Sequence, residues 1–269
     1  MTTNAAAAGQ ISKSAAEIYD EFFVPALFGV WAAPLCDAAD IRPGHSVLDV
    51  ACGSGATTRI AAERVSPGGA VTGLDCNEGM LDVARSRMPL ITWTHGQAEA
   101  LPFEDNMFDA VLCQFGLMFF DDRQQALSEM LRVLRPGGRM AVSVWDKAEN
   151  SPGYAAMIDL IDRLFGNQAA DALRAPFILG EPEKFHSLFE GVGMGEAIFA
   201  TQMQSARFAS IEDWVRMDVR GWTLSDMIDE AGYAKLLAEA KEVLKEFAGP
   251  DGAVEFPAPA HIAVCQTRN

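Results

Sequence analysis

Basic side chains are scarce in this chain of 269 residues, which has 21 Lys and Arg against 37 Asp and Glu and a formal net charge of −16. No segment gathers Lys and Arg into a patch. Proteins that bind nucleic acid neutralise its phosphates with such patches. The composition therefore excludes nucleic acid as a partner and argues against a tRNA or DNA substrate.

Cysteine is also sparse: the chain has five, an odd number, and none of them in C-x-x-C spacing. This pattern supports neither a disulfide framework nor a structural zinc site, so we expect reduced thiols and no metal. Cys52, Cys76 and Cys113 each fall near the end of a predicted strand. A small, soft side chain suits a crowded strand end, and all three are expected to border one pocket.

No apolar run approaches the ~20 residues of a membrane span, and the Ala-rich start lacks the basic and apolar regions of a signal peptide. We therefore expect no membrane span and a cytoplasmic location. With 49% hydrophobic residues, the chain can bury a sizeable core, and we expect a single domain over 1–269.

Short apolar strands alternate with amphipathic helices over the first 145 residues, which predicts a parallel sheet with helices on both faces. The predicted strands are 46–50, 70–74, 91–95, 108–113 and 138–145. The predicted helices are 56–65, 78–87 and 123–134. Asn77 is expected to cap the second of these helices, and Pro136 with the glycines after it to stop the third.

A glycine-rich turn follows the first strand in the sequence Val47-Leu48-Asp49-Val50-Ala51-Cys52-Gly53-Ser54-Gly55. Gly53 and Gly55 allow a sharp turn and let bare backbone approach a ligand before the next helix begins. A dinucleotide site would need a third small residue where Thr58 stands, and the charge of Asp49 would oppose a pyrophosphate. Asp75, at the end of the second strand, is placed to hold ribose hydroxyls. A cofactor with a ribose and a cationic head satisfies both carboxylates.

Five motifs occur in a fixed order between about residues 40 and 146: the glycine turn, Gly73-Leu74-Asp75 with Met80, Gly96-Gln97-Ala98-Glu99-Ala100-Leu101-Pro102-Phe103, Phe108-Asp109-Ala110-Val111, and Leu131-Arg132-Val133-Leu134-Arg135-Pro136-Gly137-Gly138. Together they resemble the class I S-adenosylmethionine (SAM)-dependent methyltransferases. Within that superfamily they are most similar to the branch that includes the ubiquinone/menaquinone-biosynthesis C-methyltransferases.

The resemblance implies an α/β fold: a Rossmann-like, mostly parallel sheet of seven strands with helices on both faces, completed by an antiparallel hairpin, here expected at about 196–205 and 258–266. It implies SAM as the cofactor and S-adenosylhomocysteine (SAH) as the product. Residues 40–146 would form the SAM-binding core. The remaining segments, 10–38, 150–190 and 208–256, would form a helical cap over a substrate chamber.

The same resemblance assigns the cofactor contacts. Asp49 would hold the amino group of SAM, Asp75 both ribose hydroxyls, and Met80 the adenine ring. Gln97 departs from the acid usual at its position, so its amide and the Ala98 backbone would bind the adenine edge. Asp109 is expected to be structural. The full expected cofactor-binding set is Asp49, Ala51, Gly53, Gly55, Thr58, Asp75, Cys76, Met80, Gln97, Ala98, Cys113, Gln114 and Phe115.

A sulfonium is already activated, so methyl transfer depends mainly on positioning and needs a general base only when the accepting atom carries a proton. His186, His261 and Tyr19 are the candidates for a base, and none is assigned as catalytic.

The expected cap is rich in Phe, Trp and Met, which favours an apolar or aromatic acceptor of metabolite size, with Tyr19, Phe23 and Trp31 as candidate contacts. Two alternatives stay open at this stage: methylation of a protein or carboxylate, and a SAM-binding regulator without turnover. Neither the acceptor atom nor the oligomeric state follows from the sequence.

Overall fold

The computed structural model describes residues 13–220, 224 and 227–268. Its centre is one seven-stranded sheet in the order β3-β2-β1-β4-β5-β7-β6. The first five strands pair in parallel, and β7 runs antiparallel to both β5 and β6. The strands are β1 Ser46–Val50, β2 Ala70–Asp75, β3 Thr92–His95, β4 Phe108–Gln114, β5 Leu134–Trp145, β6 Ile198–Phe208 and β7 Val254–Gln266. The expected Rossmann-like α/β class and its terminal hairpin are confirmed.

A π-helix, Tyr19–Phe28, and ten α-helices cover the sheet and its carboxyl edge within the described residues. The α-helices are α1 Lys13–Ile18, α2 Gly29–Ala38, α3 Ala56–Val65, α4 Glu78–Arg87, α5 Arg123–Arg132, α6 Pro152–Phe165, α7 Asn167–Arg174, α8 Pro182–Gly191, α9 Ile211–Arg220 and α10 Glu230–Val243. Asn77 caps α4 as expected, since its side-chain oxygen accepts from the Met80 N–H at 3.1 Å.

The central strands form because their side chains are buried on both faces of the sheet. Val47, Leu48 and Val50 of β1 have no solvent-exposed surface, as is usual for a strand in a parallel sheet between two helical layers. Asp109, at the start of β4, accepts from the Ser46 N–H at 2.7 Å and pairs with Arg135. These contacts fix the amino edge of the sheet, so Asp109 is structural, as the sequence indicated.

The expectation that residues 10–38 form only a cap is wrong for α2. Trp31 and Leu35 are fully buried, and α2 packs on β4 and β5 as part of the helical layer of the sheet. The helices predicted at 56–65, 78–87 and 123–134 were expected to cover both faces of the sheet, so residues 10–38 were not expected to pack on it. The π-helix and α1 lie beyond the carboxyl edge of the sheet, and residues 10–12 of the expected segment lie outside the described residues.

One stretch of the described chain, Ala15–Ala38, is helical, 24 residues long and apolar enough to cross a membrane by length and composition alone. Asp20 and Glu21 interrupt the apolar residues of this stretch, so it contains no uninterrupted apolar run of 24 residues. A core helix passes the same test, and 44% of this stretch's most apolar window is buried inside the protein. The finding is therefore weak support for a span.

The described residues of the other two expected cap segments are mainly helical and pack against β6 and β7. Segment 150–190 contains α6 and α7 and most of α8, and segment 208–256 contains α9 and α10. Trp214 on α9 is fully buried and packs against Phe208, Tyr154 and Phe256. An aromatic core thus joins the cap to β6 and β7. Trp222 of the same segment lies outside the described residues.

Candidate functional site

The turn after β1 has the backbone geometry that its glycines predict. Gly53 has φ +55° and Gly55 has φ +91°, the left-handed region that glycine adopts without strain. A β-carbon on Gly55 would also lie 2.6 Å from the Trp93 ring. Ala51 has φ +55°, which is uncommon for a residue with a side chain and costs of order 1–3 kcal/mol. Strain of this kind concentrates at ligand sites.

Asp75 joins the glycine turn to the end of β2. Its carboxylate accepts from the Gly53 N–H and from the Asn77 N–H, both at 2.8 Å. Burial raises the pKa of Asp75, and these backbone hydrogen bonds oppose the rise. Each carboxylate oxygen has a second lone pair, so both can still accept from ligand hydroxyls.

Asp49 presents one engaged and one free oxygen. Its Oδ2 accepts from the Thr58 hydroxyl at 2.6 Å, whereas its buried Oδ1 has no hydrogen-bond partner in the described part of the chain. Burial raises the pKa of Asp49 to about 7, and the nearby charge of Asp75 adds to the rise. A free carboxylate oxygen at this place suits a cationic ligand group. Thr58 is fully buried and bonded to Asp49, so it acts through that residue.

The residues expected around the adenine lie at the ends of β2 and β3. Met80 is buried in a small cluster with Ala16 and Val83, against which Tyr19 packs. Ala98 is buried and follows the exposed Gln97. Cys76 is exposed, and its carbonyl lies 3.0 Å from His95 Nε2. The structure thus places these four residues on the β2 and β3 side of the glycine turn, where β2 neighbours β1.

Residues at the end of β4 lie on the other side of the glycine turn, away from β2 and β3. Cys113 is buried, and the Gln114 amide donates to the Phe28 carbonyl at 3.0 Å, which ties the π-helix to the sheet. Gln114 Oε1 is buried with no hydrogen-bond partner among the described residues. Phe115 has φ +54°, a second strained position at the carboxyl edge of the sheet.

The Phe115 ring stacks on Trp145, at the end of β5, with centroids 3.7 Å apart and planes 3° from parallel. Phe28 packs against both rings at 5.9 and 5.8 Å. Tyr19 lies 5.0 Å from Phe28 and reaches the glycine turn, 3.8 Å from where a β-carbon on Gly53 would stand. An aromatic layer therefore runs from the glycine turn to the end of β5.

Beyond this layer lies an apolar cavity between the π-helix, the end of β5 and the cap. The centre of a water molecule can occupy about 30 Å³ of this cavity. That volume holds about two water molecules. Its lining residues are Phe23, Leu27, Phe28, Trp145, Ser151, Tyr154, Leu173, Pro176, Phe177, Asp218, Ala258 and Pro259.

The three residues considered as acceptor contacts lie in different places. Phe23 lines the cavity, and Tyr19 lies between the cavity wall and the glycine turn. Trp31 is fully buried and meets Phe115 and Trp145 edge to face. Its place in the core, behind the aromatic layer, corrects the interpretation of Trp31 as an acceptor contact.

Neither histidine considered as a base lines the cavity. His186 packs on the Phe199 ring at 3.7 Å. His261 is buried with Nδ1 2.8 Å from the Thr201 hydroxyl and Nε2 3.0 Å from the Gly180 carbonyl, so both ring nitrogens are engaged. Burial, with the charge of Asp75, raises the pKa of Tyr19 above its usual range, which disfavours the phenolate.

Sequence reasoning missed four residues here. Ser54 in the glycine turn is buried with an unpartnered hydroxyl among the described residues, and its place between the two glycines was the available signal. Trp145 closes a predicted strand and could have been found in the same way. Tyr154 and Asp218 come from the cap, and no motif marks them.

Comparison with known proteins agrees with this geometry. Residues 48–142 match the family model described as a methyltransferase domain. The chain is 29% identical over 225 residues to the ubiquinone/menaquinone biosynthesis C-methyltransferase of Saccharophagus degradans, covering 81% of this chain and 79% of the relative. It is 33% identical to the protein of the same name from Psychromonas ingrahamii, covering 68% of this chain and 74% of the relative.

Other relatives of this name match over less of their length: 51% for the Hahella chejuensis protein. Among solved structures, the YcgJ protein of Bacillus subtilis shares the fold with a TM-score of 0.59, 21% identity, and coverage of 88% of this chain and 98% of that one. The motifs, the sheet order and these relatives lead to one assignment: the chain belongs to the SAM-dependent methyltransferase family that includes the ubiquinone/menaquinone biosynthesis C-methyltransferases.

Proposed function

We propose that this methyltransferase acts on a small apolar acceptor with an aromatic ring, bound beside the Phe115 and Trp145 stack. The observation that carries the proposal is the position of that stack. Its two rings follow β4 and β5 at the carboxyl edge of the sheet, where ligands of open α/β sheets bind. Trp145 lines the apolar cavity and stacks on Phe115, so a bound ring would meet aromatic surface on the cofactor side.

The cofactor side of the proposal assigns each residue a task. When bound, SAM supplies an electrophilic methyl group on a sulfonium centre. Asp49 Oδ1, left free while Thr58 holds Oδ2, accepts from the amino group. Asp75 accepts from the ribose hydroxyls, a pair of charge-assisted bonds worth about 1.5–3 kcal/mol. The backbone of Ala51, Gly53 and Gly55 lets the cofactor approach closely.

The remaining expected residues complete the cofactor site. Met80, Cys76, Gln97 and Ala98 border the adenine. Cys113, Gln114 and Phe115 border the methionine end, where the free Gln114 Oε1 is a further acceptor. Within residues 40–146 these groups form the cofactor half of the single domain. The segment 13–28, together with 150–190 and 208–256, covers the acceptor.

The layer formed by Tyr19, Phe28, Phe115 and Trp145 runs from the glycine turn, which Tyr19 contacts, to the cavity, which Phe28 and Trp145 line. An aromatic acceptor that displaces Phe28 would be stacked on this layer and held in line with the methyl group. Positioning of this kind provides most of the rate enhancement that an in-line displacement needs. Tyr19 and Phe23 would then exclude water from the reacting atoms.

The acceptor class can be tested with SAM carrying a labelled methyl group. The names of the relatives point to quinone biosynthesis, so 1,4-naphthohydroquinone is the first probe, beside a catechol, a primary amine, a carboxylate and a denatured protein mixture. We expect label in a ring-containing product identified by mass spectrometry. Label confined to the amine, the carboxylate or the protein would contradict the proposal, and Asp75→Ala provides the cofactor-dependent blank.

A further inference from the structure

Asp218 is a buried acid in an apolar place. It lies on α9, is 3% exposed, and lines the cavity together with residues of the π-helix. Its Oδ2 has no hydrogen-bond partner in the described part of the chain. A carboxyl group without a partner in such surroundings weakens a fold, and buried polar groups are otherwise almost always satisfied.

The polar groups nearest to Asp218 leave its Oδ2 without a hydrogen bond in the described part of the chain. The Trp214 indole, one turn earlier on α9, opposes the rise in the pKa of Asp218, and the charge of Asp218 acts on Tyr154. The Ser151 hydroxyl donates to the Pro257 carbonyl at 2.9 Å. The Tyr154 ring packs against Phe177, Trp214 and Phe256. Burial raises the pKa of Asp218 well above its usual range, which favours the protonated carboxyl, a group that both donates and accepts.

The cavity is also close to the reacting end of the cofactor site. Phe28 and Trp145 line it and also contact Phe115, which directly follows β4. Asp218 lines the cavity from the cap. A molecule that spans from the aromatic layer to Asp218 would present a ring at one end and a polar group at the other.

We infer that Asp218 is a positioning residue for the acceptor and hydrogen-bonds a hydroxyl or carbonyl oxygen on its aromatic ring, at the end away from the methyl donor. The inference rests on the function proposed above and deepens it. The acceptor class narrows to planar, apolar molecules with one oxygen substituent that reaches the cap. Acceptors without that oxygen bind in the same cavity but more weakly.

The π-helix supplies three of the residues that line the cavity, so its packing sets the shape of the space that such a ring would enter. Phe23, Leu27 and Phe28 all lie on the π-helix, which contains Pro25 and therefore lacks a regular hydrogen-bond ladder. Arg216 lies over the Phe22 ring at 4.7 Å and links this helix to α9, the helix that carries Asp218. The contact between Arg216 and Phe22 thus connects two of the helices that line the cavity.

The test compares two probes, 2-naphthol and naphthalene, which differ in one hydroxyl group. Their affinities are measured by ligand-observed NMR for the full chain with SAH bound, in wild type, Asp218→Asn and Asp218→Leu. We expect wild type to bind 2-naphthol about tenfold more tightly than naphthalene, Asp218→Leu to bind both equally, and Asp218→Asn to keep part of the preference. SAH affinity should stay within about twofold in both variants.

Asp109→Asn is the matched control, because Asp109 is a structural acid at the opposite edge of the sheet. It should keep the naphthol preference. Asp218→Leu should also melt at a higher temperature than wild type, since it removes an unpartnered buried carboxyl. A lower melting temperature, an unchanged naphthol preference in Asp218→Leu, or no binding of either probe to wild type would each overturn the inference.

These outcomes are distinct from failure of the proposed function. Methyl transfer only to non-aromatic acceptors would overturn the function, whatever Asp218 does. Ring methylation by wild type with an unchanged naphthol preference in Asp218→Leu would leave the function standing and remove Asp218 from it.

Discussion

The Trp145 ring lies parallel to the Phe115 ring at a centroid distance of 3.7 Å, which joins the carboxyl ends of β5 and β4 by a stacked pair. Phe115 reaches this position only with φ at +54°, so the backbone is strained where the stack is formed. Trp145 lines the cavity, and Phe115 directly follows β4 at the carboxyl edge where we propose that the cofactor binds. The stacked pair therefore places the proposed acceptor site directly beside the proposed cofactor site.

Replacing Trp145, the larger ring of this pair, should weaken acceptor binding more than cofactor binding. Trp145→Phe keeps a ring but loses stacking area, so we expect KM for an aromatic acceptor to rise about 2- to 10-fold, with SAH affinity nearly unchanged. Trp145→Ala should also lower the free energy of unfolding by about 3–5 kcal/mol. Steady-state kinetics and chemical denaturation measure these effects. A Trp145→Phe variant that loses SAH affinity and keeps acceptor KM would contradict the assignment.

Asp75→Ala should weaken SAH binding by about 1.5–3 kcal/mol, roughly 10- to 100-fold, because both ribose bonds are lost. Calorimetric titration gives the affinity directly. Asp109→Ala removes a carboxylate that holds Ser46 and Arg135 at the amino edge of the sheet, and it should leave SAH affinity intact. Equal affinity in folded Asp75→Ala and wild type would remove Asp75 from the site.

The binding of SAH should depend on pH through Asp49. The folded-state pKa of about 7 lies above the ordinary value of 3.8, so the free folded protein binds more protons than the unfolded chain between these values. Its stability from this group therefore falls as pH rises from about 4 to about 7. The cationic amino group favours the ionised carboxylate, so binding should release a proton and tighten over the same range.

Calorimetry at pH about 6.5 in buffers of different ionisation enthalpy counts that proton. Asp49→Asn should abolish most of the release, and any proton that remains would come from Asp75, whose pKa burial also raises. Full proton release by Asp49→Asn would show that another group titrates on binding.

The sequence predicted the sheet well because its signals are local. Buried strands such as Val47 to Val50, the Asn77 cap and the glycine turn each depend on residues close in the chain. The candidate site residues of the first four strands could be proposed for the same reason, since they lie at or near the carboxyl ends of those strands. The role of α2 was misassigned because helix packing on the sheet depends on distant residues such as Phe115 and Trp145.

Asp218 was not predictable at all. An isolated acid on an amphipathic helix normally faces water, and only the packing of α9 against β6 and the π-helix buries it. The partner of the Thr58 hydroxyl was not predictable either, although the sequence placed Thr58 in the expected cofactor-binding set. Its bond to Asp49 arises because β1 and α3 bring the two side chains together.

Hydrogen exchange should divide the amino-terminal segment in two. Amides of α2, fixed on the sheet, should exchange slowly with or without SAH. Amides of residues 13–28, which lie over the carboxyl edge, should become clearly more protected when SAH binds. Equal protection of 13–28 in both states would make this segment a fixed brace, and the acceptor would then need another entrance.

The most direct test of the account is a crystal structure of the SAH complex. We expect the ribose on Asp75, the amino group on Asp49, and the sulfur facing the aromatic layer formed by Tyr19, Phe28, Phe115 and Trp145, so that an acceptor that displaces Phe28 can approach the methyl group to about 3–3.5 Å. A sulfur atom that faces an open polar groove, away from Phe115 and the cavity beyond it, would contradict an aromatic acceptor held beside the Phe115 and Trp145 stack.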